Sequence, residues 1–387
     1  PARPEWSFVM TGKISPDAPR MTLKERIFYG LVCNERRVYR HWYTRFLLAG
    51  VDLDRIARVV ARVPRWSRWC AEWHAEGEKL EHMADGALER GHKATARRFF
   101  HEAAGCFHVG QHFFYFDDDL KQRCLEKIWT LYPKALALDD DPTRPERVEI
   151  PYRGLTLPGY LRRRPEAGRP LVIQINGLDN LKECEQHTIG DMLCRAGFNA
   201  LVFEGPGQGE MWARMKMAAD YHTAASAVID WAAANLAPHV DTKRIGVIGF
   251  SMGGFFGPLS AAYDRRIACV VANGGPANLR FLLPESRANP ILYRGFPHAA
   301  GTRTLTEAVE KLGYDIVKAP PLDRPMLIQH SGRDRIIPNG RAHADIFMNW
   351  AIDEKELQFY PDGEHVCANY LDEVLPSAVD FLTRRLQ

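Results

Sequence analysis

The chain has no Cys-x-x-Cys pair; its 8 cysteines stand at 33, 70, 106, 124, 184, 194, 269 and 367. That spacing excludes zinc ribbons and thioredoxin-type redox sites. Scattered thiols in a chain of 387 residues fit reduced, mostly core cysteines and a cytoplasmic setting. No apolar run approaches the ~20 residues that a membrane-spanning helix needs. The first residues, Pro1 to Trp6, lack the apolar core of a secretory leader. Charge of either sign is not in excess: the net charge is +3 at pH 7, too small to indicate a nucleic-acid or membrane partner. His101, His108 and His112 have no accompanying carboxylate at ligand spacing, so no metal and no cofactor is expected. Internal repeats and low-complexity tracts are missing too.

What is present is ordinary globular composition, 46% hydrophobic and 26% charged, enough for a large domain and a smaller one. The character changes at Leu138 to Pro145, where three consecutive aspartates and two prolines mark a linker. Residues 1–145 read as a helical domain. Apolar residues recur at three-to-four spacing in Leu23–Leu48, Leu53–Trp73, Gly77–Arg90, Lys93–Phe116 and Leu120–Ala137. Residues 146–387 read as α/β. A hairpin over Arg147–Tyr152 and Leu155–Arg162 precedes strands at Pro170–Asn176, Asn199–Glu204, Arg244–Phe250, Ile267–Ala272, Pro325–Ser331 and Glu356–Tyr360. Helical patterns separate them, and Asp372–Leu386 closes the chain. Such alternation predicts a mostly parallel, doubly wound sheet with helices on both faces.

The run Arg244 to Gly254 carries the chemistry. An apolar β-branched strand ends in Gly249-Phe250-Ser251-Met252-Gly253 and small residues follow, which is a strand, a sharp turn and a helix start with serine at the apex. Glycines on either side let the turn close where a Cβ would clash. A serine hydroxyl needs a base to take its proton, and the base needs an acid to orient it. Two loops that follow later strands supply candidates, Asp334 and His365, and the order Ser251, Asp334, His365 is that of an α/β-hydrolase triad. Glu364 is a rival acid, but adjacent in sequence to the histidine. An oxyanion hole needs two backbone donors. Met252 N–H is one, and the other belongs to the loop after the strand at 171–175, at Leu178 or alternatively Gly177. The run Glu204-Gly-Pro-Gly-Gln-Gly209 lacks the Lys-Ser/Thr of a phosphate loop and reads as a tight surface turn beside the site, with Glu204 a candidate substrate contact.

Taken together, Asn176–Glu183, Phe203–Met211, Ile248–Gly254 and Asp362–Asn369 resemble the 2,6-dihydroxypseudooxynicotine hydrolase group. That group belongs to the esterase-like α/β-hydrolases related to the fermentation-respiration switch protein. Fungal polyketide-shortening hydrolases of the yellowish-green type are similar. The stretches Ala49–Asp52, Trp66–Cys70 and His112–Asp117 also fit the group's helical domain, so the resemblance covers about residues 45–385. It implies a cofactor-free serine hydrolase with an N-terminal all-helical cap over an α/β-hydrolase domain. It further implies cleavage of a C–C bond next to a carbonyl in an aromatic or polyketide-like substrate, with carboxylester hydrolysis or acyl transfer as alternatives. A non-catalytic binding relative is the reading from a different class. In the cap, His108, His112 and Tyr115 lie among aromatics and are expected substrate contacts. The long segment 277–321 is expected near the triad, and a homodimer is expected from the capped group.

Overall fold

Capping and proline placement set the helices of the amino-terminal half. The computed structural model describes residues 23, 42–112, 114, 117–237, 239–283 and 291–387. Within them run α1 (Tyr43–Leu48), α2 (Leu53–Arg62), α3 (Trp69–Glu89), α4 (Lys93–Gln111) and α5 (Asp118–Ala137). The Asp52 carboxylate accepts the N–H groups of Asp54 and Arg55 and starts α2, and Asp117 does the same for Leu120 at α5. The break between α2 and α3 differs from the sequence expectation, which puts it between Trp73 and Gly77. It falls at Val63, which is extended before Pro64 because proline disfavours helical backbone in the residue before it. Gly77 lies inside α3, where its missing side chain admits the Phe107 ring; a Cβ there would come within 2.8 Å of it.

The remainder builds one 8-stranded sheet in the order β1-β2-β4-β3-β5-β6-β7-β8. The strands are β1 (Glu146–Tyr152), β2 (Leu155–Arg162), β3 (Arg169–Ile175), β4 (Asn199–Phe203), β5 (Val240–Phe250), β6 (Ile267–Asn273), β7 (Met326–Ser331) and β8 (Lys355–Tyr360). Only β1–β2 and β2–β4 pair antiparallel; every later pair is parallel. Between the strands lie α6 (Glu185–Arg195), α7 (His222–Asn235), α8 (Gly253–Tyr263), α9 (Phe296–Ala300), α10 (Leu305–Leu312) and α11 (Gly340–Trp350), and α12 (Leu371–Leu386) ends the chain. The sequence reading does not anticipate α11.

Period-two alternation along the strands separates two cores. Ile245 and Val247 of β5 join the core that holds Val228 of α7 and Phe256 of α8, while Ile248 and Phe250 join Leu193 of α6 and Phe381 of α12. Helices therefore cover both faces. The helical half docks on the sheet half through polar as well as apolar contacts: Thr188 Oγ1 donates to Leu48 O at 2.8 Å, and Tyr132 Oη lies 2.6 Å from His187 Nδ1. Seven cysteines among the described residues are buried free thiols; Cys33 lies outside those residues. No helix among them is long and apolar enough to cross a membrane.

A buried ion cluster ties the loop after β3 to the loop after β4. Lys182 is fully buried, its Nζ 2.9 Å from Glu204 Oε2 and 2.6 Å from Glu210 Oε1, with Glu183 beside it. Glu210 also takes Arg147 of β1 at 2.6 Å. Burial works against the Lys182 charge, but Glu183, Glu204 and Glu210 outweigh it and hold its pKa well above the usual lysine value. Removing one partner from such a cluster strands the rest without water. Lys182→Met should lose about 3–5 kcal/mol of stability in urea denaturation, and a loss near zero would show that the cluster contributes nothing to docking the two loops.

Candidate active site

The serine turn is held open by contact between backbones. Ser251 sits in the left-handed region at φ 56°, a conformation that costs a non-glycine residue about 1–3 kcal/mol. The turn closes so tightly that a Cβ on Gly249 would lie 2.0 Å from Gly253 O, and one on Gly253 would lie 2.0 Å from Ile175 O. Ser251 N–H donates to Asn273 O at 2.9 Å, and Gly254 N–H returns to Ser251 O at 2.8 Å. These bonds fix the serine between the carboxyl end of β5 and the start of α8.

Three side chains from three loops meet there. His365 Nε2 is 2.9 Å from Ser251 Oγ, and His365 Nδ1 is 2.8 Å from Asp334 Oδ2. Asp334 Oδ1 accepts the N–H groups of Ile336 and Ile337, each at 2.8 Å, so the carboxylate cannot rotate away. Burial alone would raise the Asp334 pKa. The field of His365, the hydrogen bond to it and the Ile337 N–H prevail and hold the carboxyl below the usual aspartate range. Glu364, the rival acid, is not the partner of His365. The loop beyond the histidine is strained: Val366 and Cys367 have φ of 54° and 53°, outlying for a β-branched residue. Cys367 N–H bonds to Glu364 O at 2.8 Å and to Ser331 Oγ at 3.2 Å, which secures that loop. The arrangement can pass a proton from Ser251 Oγ to a histidine held in one orientation.

Gly177 runs against the serine; a Cβ on it would lie 3.1 Å from Ser251 Cβ. Leu178, Met252 and Ser251 border one small cavity with Arg45, Asp179, Leu282, Leu292, Phe296, Ile336, Ile337 and His365. Seven of these eleven residues are apolar, and Arg45, Asp179, Ser251 and His365 supply polar groups among them. Leu282, Leu292 and Phe296 come from the long segment after β6, and Arg45 comes from α1. Trp42, just before α1, presents its ring edge-on to His365 at 6.2 Å between centroids. The helical half thus covers the serine.

The expected substrate contacts fare unevenly. His108 is buried and engages Glu185 Oε1 and Gln111 Nε2, each at 3.0 Å, so both ring nitrogens are taken, and it is not among the residues that border the cavity. His112 is buried behind Trp42, 3.7 Å from Asp179 Oδ2, and burial followed by the field of Arg45 holds its pKa well below the usual histidine value. Tyr115 lies outside the described residues. Glu204 is committed to Lys182, and residues 204–208 are buried, so the expected surface turn is an interior loop and Glu204 is no substrate contact. The sequence reading missed Arg45. Its guanidinium engages Glu185 and, at 3.1 Å, Asp179 Oδ1. Lone arginines on amphipathic helices are common surface residues, so nothing in the pattern marked this one.

A family signature described as "Esterase FrsA-like" matches residues 57–287. The chain belongs to the FrsA-like esterase family. A 2,6-dihydropseudooxynicotine hydrolase of Paenarthrobacter nicotinovorans is 31% identical over 330 residues, which covers 84% of this chain and 86% of the relative. The crystal structure of the 2,6-dihydroxy-pseudo-oxynicotine hydrolase superposes with a TM-score of 0.79 at 26% identity, covering 89% of this chain and 95% of that one. The α/β hydrolase pydG of an Acremonium species is 28% identical over 236 residues, 57% of this chain and 55% of its own length. This FrsA-like protein is therefore an enzyme, a hydrolase with the α/β-hydrolase fold.

The depressed Asp334 pKa has a sign that can be checked. Its contribution to stability is complete above the unfolded aspartate pKa of ~3.9 and disappears as pH falls through the lower folded value. The stability difference between wild type and Asp334→Asn in urea should hold steady near neutrality and close below about pH 4. A difference that widens on acidification would contradict an ionised, paired Asp334.

Proposed function

We propose that this enzyme is a serine hydrolase in which Ser251, His365 and Asp334 cleave a C–C bond next to a carbonyl of a bulky aromatic or polyketide-like substrate. The observation that carries the reading is the hydrogen-bonded line from Asp334 through His365 to Ser251, with Ser251 and His365 both on the border of the cavity. Ser251 Oγ adds to the carbonyl carbon while its proton moves to His365 Nε2. The oxygen of the tetrahedral adduct takes hydrogen bonds from the N–H groups of Met252 and Leu178, with Gly177 N–H the alternative to Leu178. Collapse breaks the C–C bond; its electron pair leaves as a carbanion that a second, neighbouring carbonyl holds as an enolate. His365 returns the proton to that carbon. Water, deprotonated by His365, then splits the acyl-enzyme and releases a carboxylate. Helices of residues 42–137 act as the cap that selects the substrate.

Two features support the C–C reading: similarity to a hydrolase of 2,6-dihydropseudooxynicotine over 84% of the chain, and the apolar side chains Leu282, Leu292 and Phe296 on the border of the cavity, which suit contact with an aromatic group. The family's description as an esterase favours a second reading, hydrolysis of a bulky carboxylester by the same groups. Parallel assays on an aromatic 1,3-diketone and on p-nitrophenyl acetate decide between them. The C–C reading predicts the larger kcat/KM on the diketone, with a ketone and a carboxylate as products. Turnover of the ester alone would select the esterase. Under either reading Ser251→Ala abolishes turnover and fluorophosphonate labelling, and Asp334→Asn loses about 10⁴ in kcat. Full turnover in Ser251→Ala would overturn both.

A further inference from the structure

The loop Glu204-Gly-Pro-Gly-Gln-Gly209 has no part in the proton transfers above, yet it reaches the site through one side chain. Gln208 is fully buried. Its Nε2 donates to Asn176 O at 2.7 Å and to Gly177 O at 2.9 Å. Its Oε1 accepts Gly205 N–H at 2.9 Å and Tyr221 Oη–H at 2.7 Å. Those partners admit one orientation of the amide, since a backbone N–H must face oxygen and two carbonyls must face nitrogen. Tyr221 is itself fixed by stacking on Phe256, with ring centroids 3.7 Å apart and planes 7° from parallel.

The carbonyl of Gly177 and the N–H of Leu178 belong to the same planar peptide unit. In a trans peptide they point in opposite directions. A donor that grips Gly177 O from the interior therefore turns Leu178 N–H the other way, to the side where Leu178 and Ser251 border the cavity. We infer that Gln208 is a positioning residue for the oxyanion hole, aiming the Leu178 N–H through its hydrogen bond to the Gly177 carbonyl. The inference rests on the serine-hydrolase reading and on Leu178, rather than Gly177, as the second donor. It also gives the buried loop a purpose: Glu204 anchors it to Lys182, and Gln208 carries that rigidity to the peptide beside the serine.

The test separates oxyanion binding from packing. Benzeneboronic acid forms a tetrahedral adduct on a serine Oγ with an oxygen where the oxyanion forms. p-Nitrophenyl butyl ether fits as the matching butyrate ester does but has no carbonyl to attack. In Gln208→Leu, kcat on p-nitrophenyl butyrate should fall about 10²–10³-fold. Boronic-acid affinity should fall in step, with ether affinity within about threefold of wild type. Gln208→Glu keeps the shape but sets carboxylate oxygens against two carbonyls. Its activity relative to wild type at the same pH should recover as pH falls and the carboxyl gains a proton to donate, a response that a packing role does not produce. Kinetics and boronic-acid affinity unchanged in Gln208→Leu, or equal losses for boronic acid and ether, would overturn the inference. Should neither variant fold, Tyr221→Phe decides: it removes one anchor of the amide while keeping the stacked ring. A parallel drop in kcat and boronic-acid affinity supports the inference, and unchanged values overturn it. Turnover that survives in Ser251→Ala would sink the underlying reading; loss there beside full activity in Gln208→Leu would sink this inference alone.

Discussion

The site depends on a turn that only glycine neighbours allow. Ser251 occupies a left-handed conformation where β5, α8 and the end of β3 meet almost backbone to backbone, with Gly253 against Ile175 O and Gly249 against Gly253 O. The strain is offset by hydrogen bonds on either side and by apolar cores on both faces of the sheet. From that turn follow the position of the hydroxyl and its hydrogen bond to His365, which reaches it from the loop after β8. Shift the turn and the hydrogen-bonded line to Asp334 has no origin.

Much of this is written locally in the chain. Strand, turn and helix succeed one another within a dozen residues around Ser251, so the elbow is legible from glycine spacing and β-branched residues. Asp334 and His365 are legible for a related reason: each follows an apolar strand directly, and parallel strands deliver their loops to one edge of the sheet. The change from helices to strands between Ala137 and Glu146 announces itself by composition. Pairings across long sequence separation left no such trace. Glu204 as a partner of Lys182, His108 as a partner of Glu185 and Arg45 on Asp179 arise from docking, which periodicity does not encode. Gln208 was visible only as one letter of a glycine-rich loop, and its partners at Asn176, Gly177 and Tyr221 are known only once the loop is seen to be interior. The misplaced break between α2 and α3 has a simpler origin: apolar spacing continues to Trp73, and the limit that Pro64 sets on the backbone of Val63 overrides it.

The helical half is joined to the catalytic edge by a buried polar chain. Lys121 donates to Gln111 Oε1, Gln111 meets His108, His108 and Arg45 both meet Glu185, and Arg45 continues to Asp179, the neighbour of Leu178. Burial opposes the charge on Glu185, but Arg45 and His108 overcome it and hold its pKa far below the usual range. Such a chain adds little net stability over an apolar contact of the same size, yet tolerates no missing member. Its consequence is geometric: it ties α1 and α4 to the loop after β3, which borders the serine.

The central claim is that Ser251 becomes covalently acylated during turnover. Rapid acid quench of the enzyme mixed with p-nitrophenyl acetate, followed by peptide mass mapping, tests it directly. The account predicts a transient acetyl increment on the peptide that contains Ser251, absent from Ser251→Ala. Turnover that proceeds with no increment, or with the increment on another residue, would contradict it.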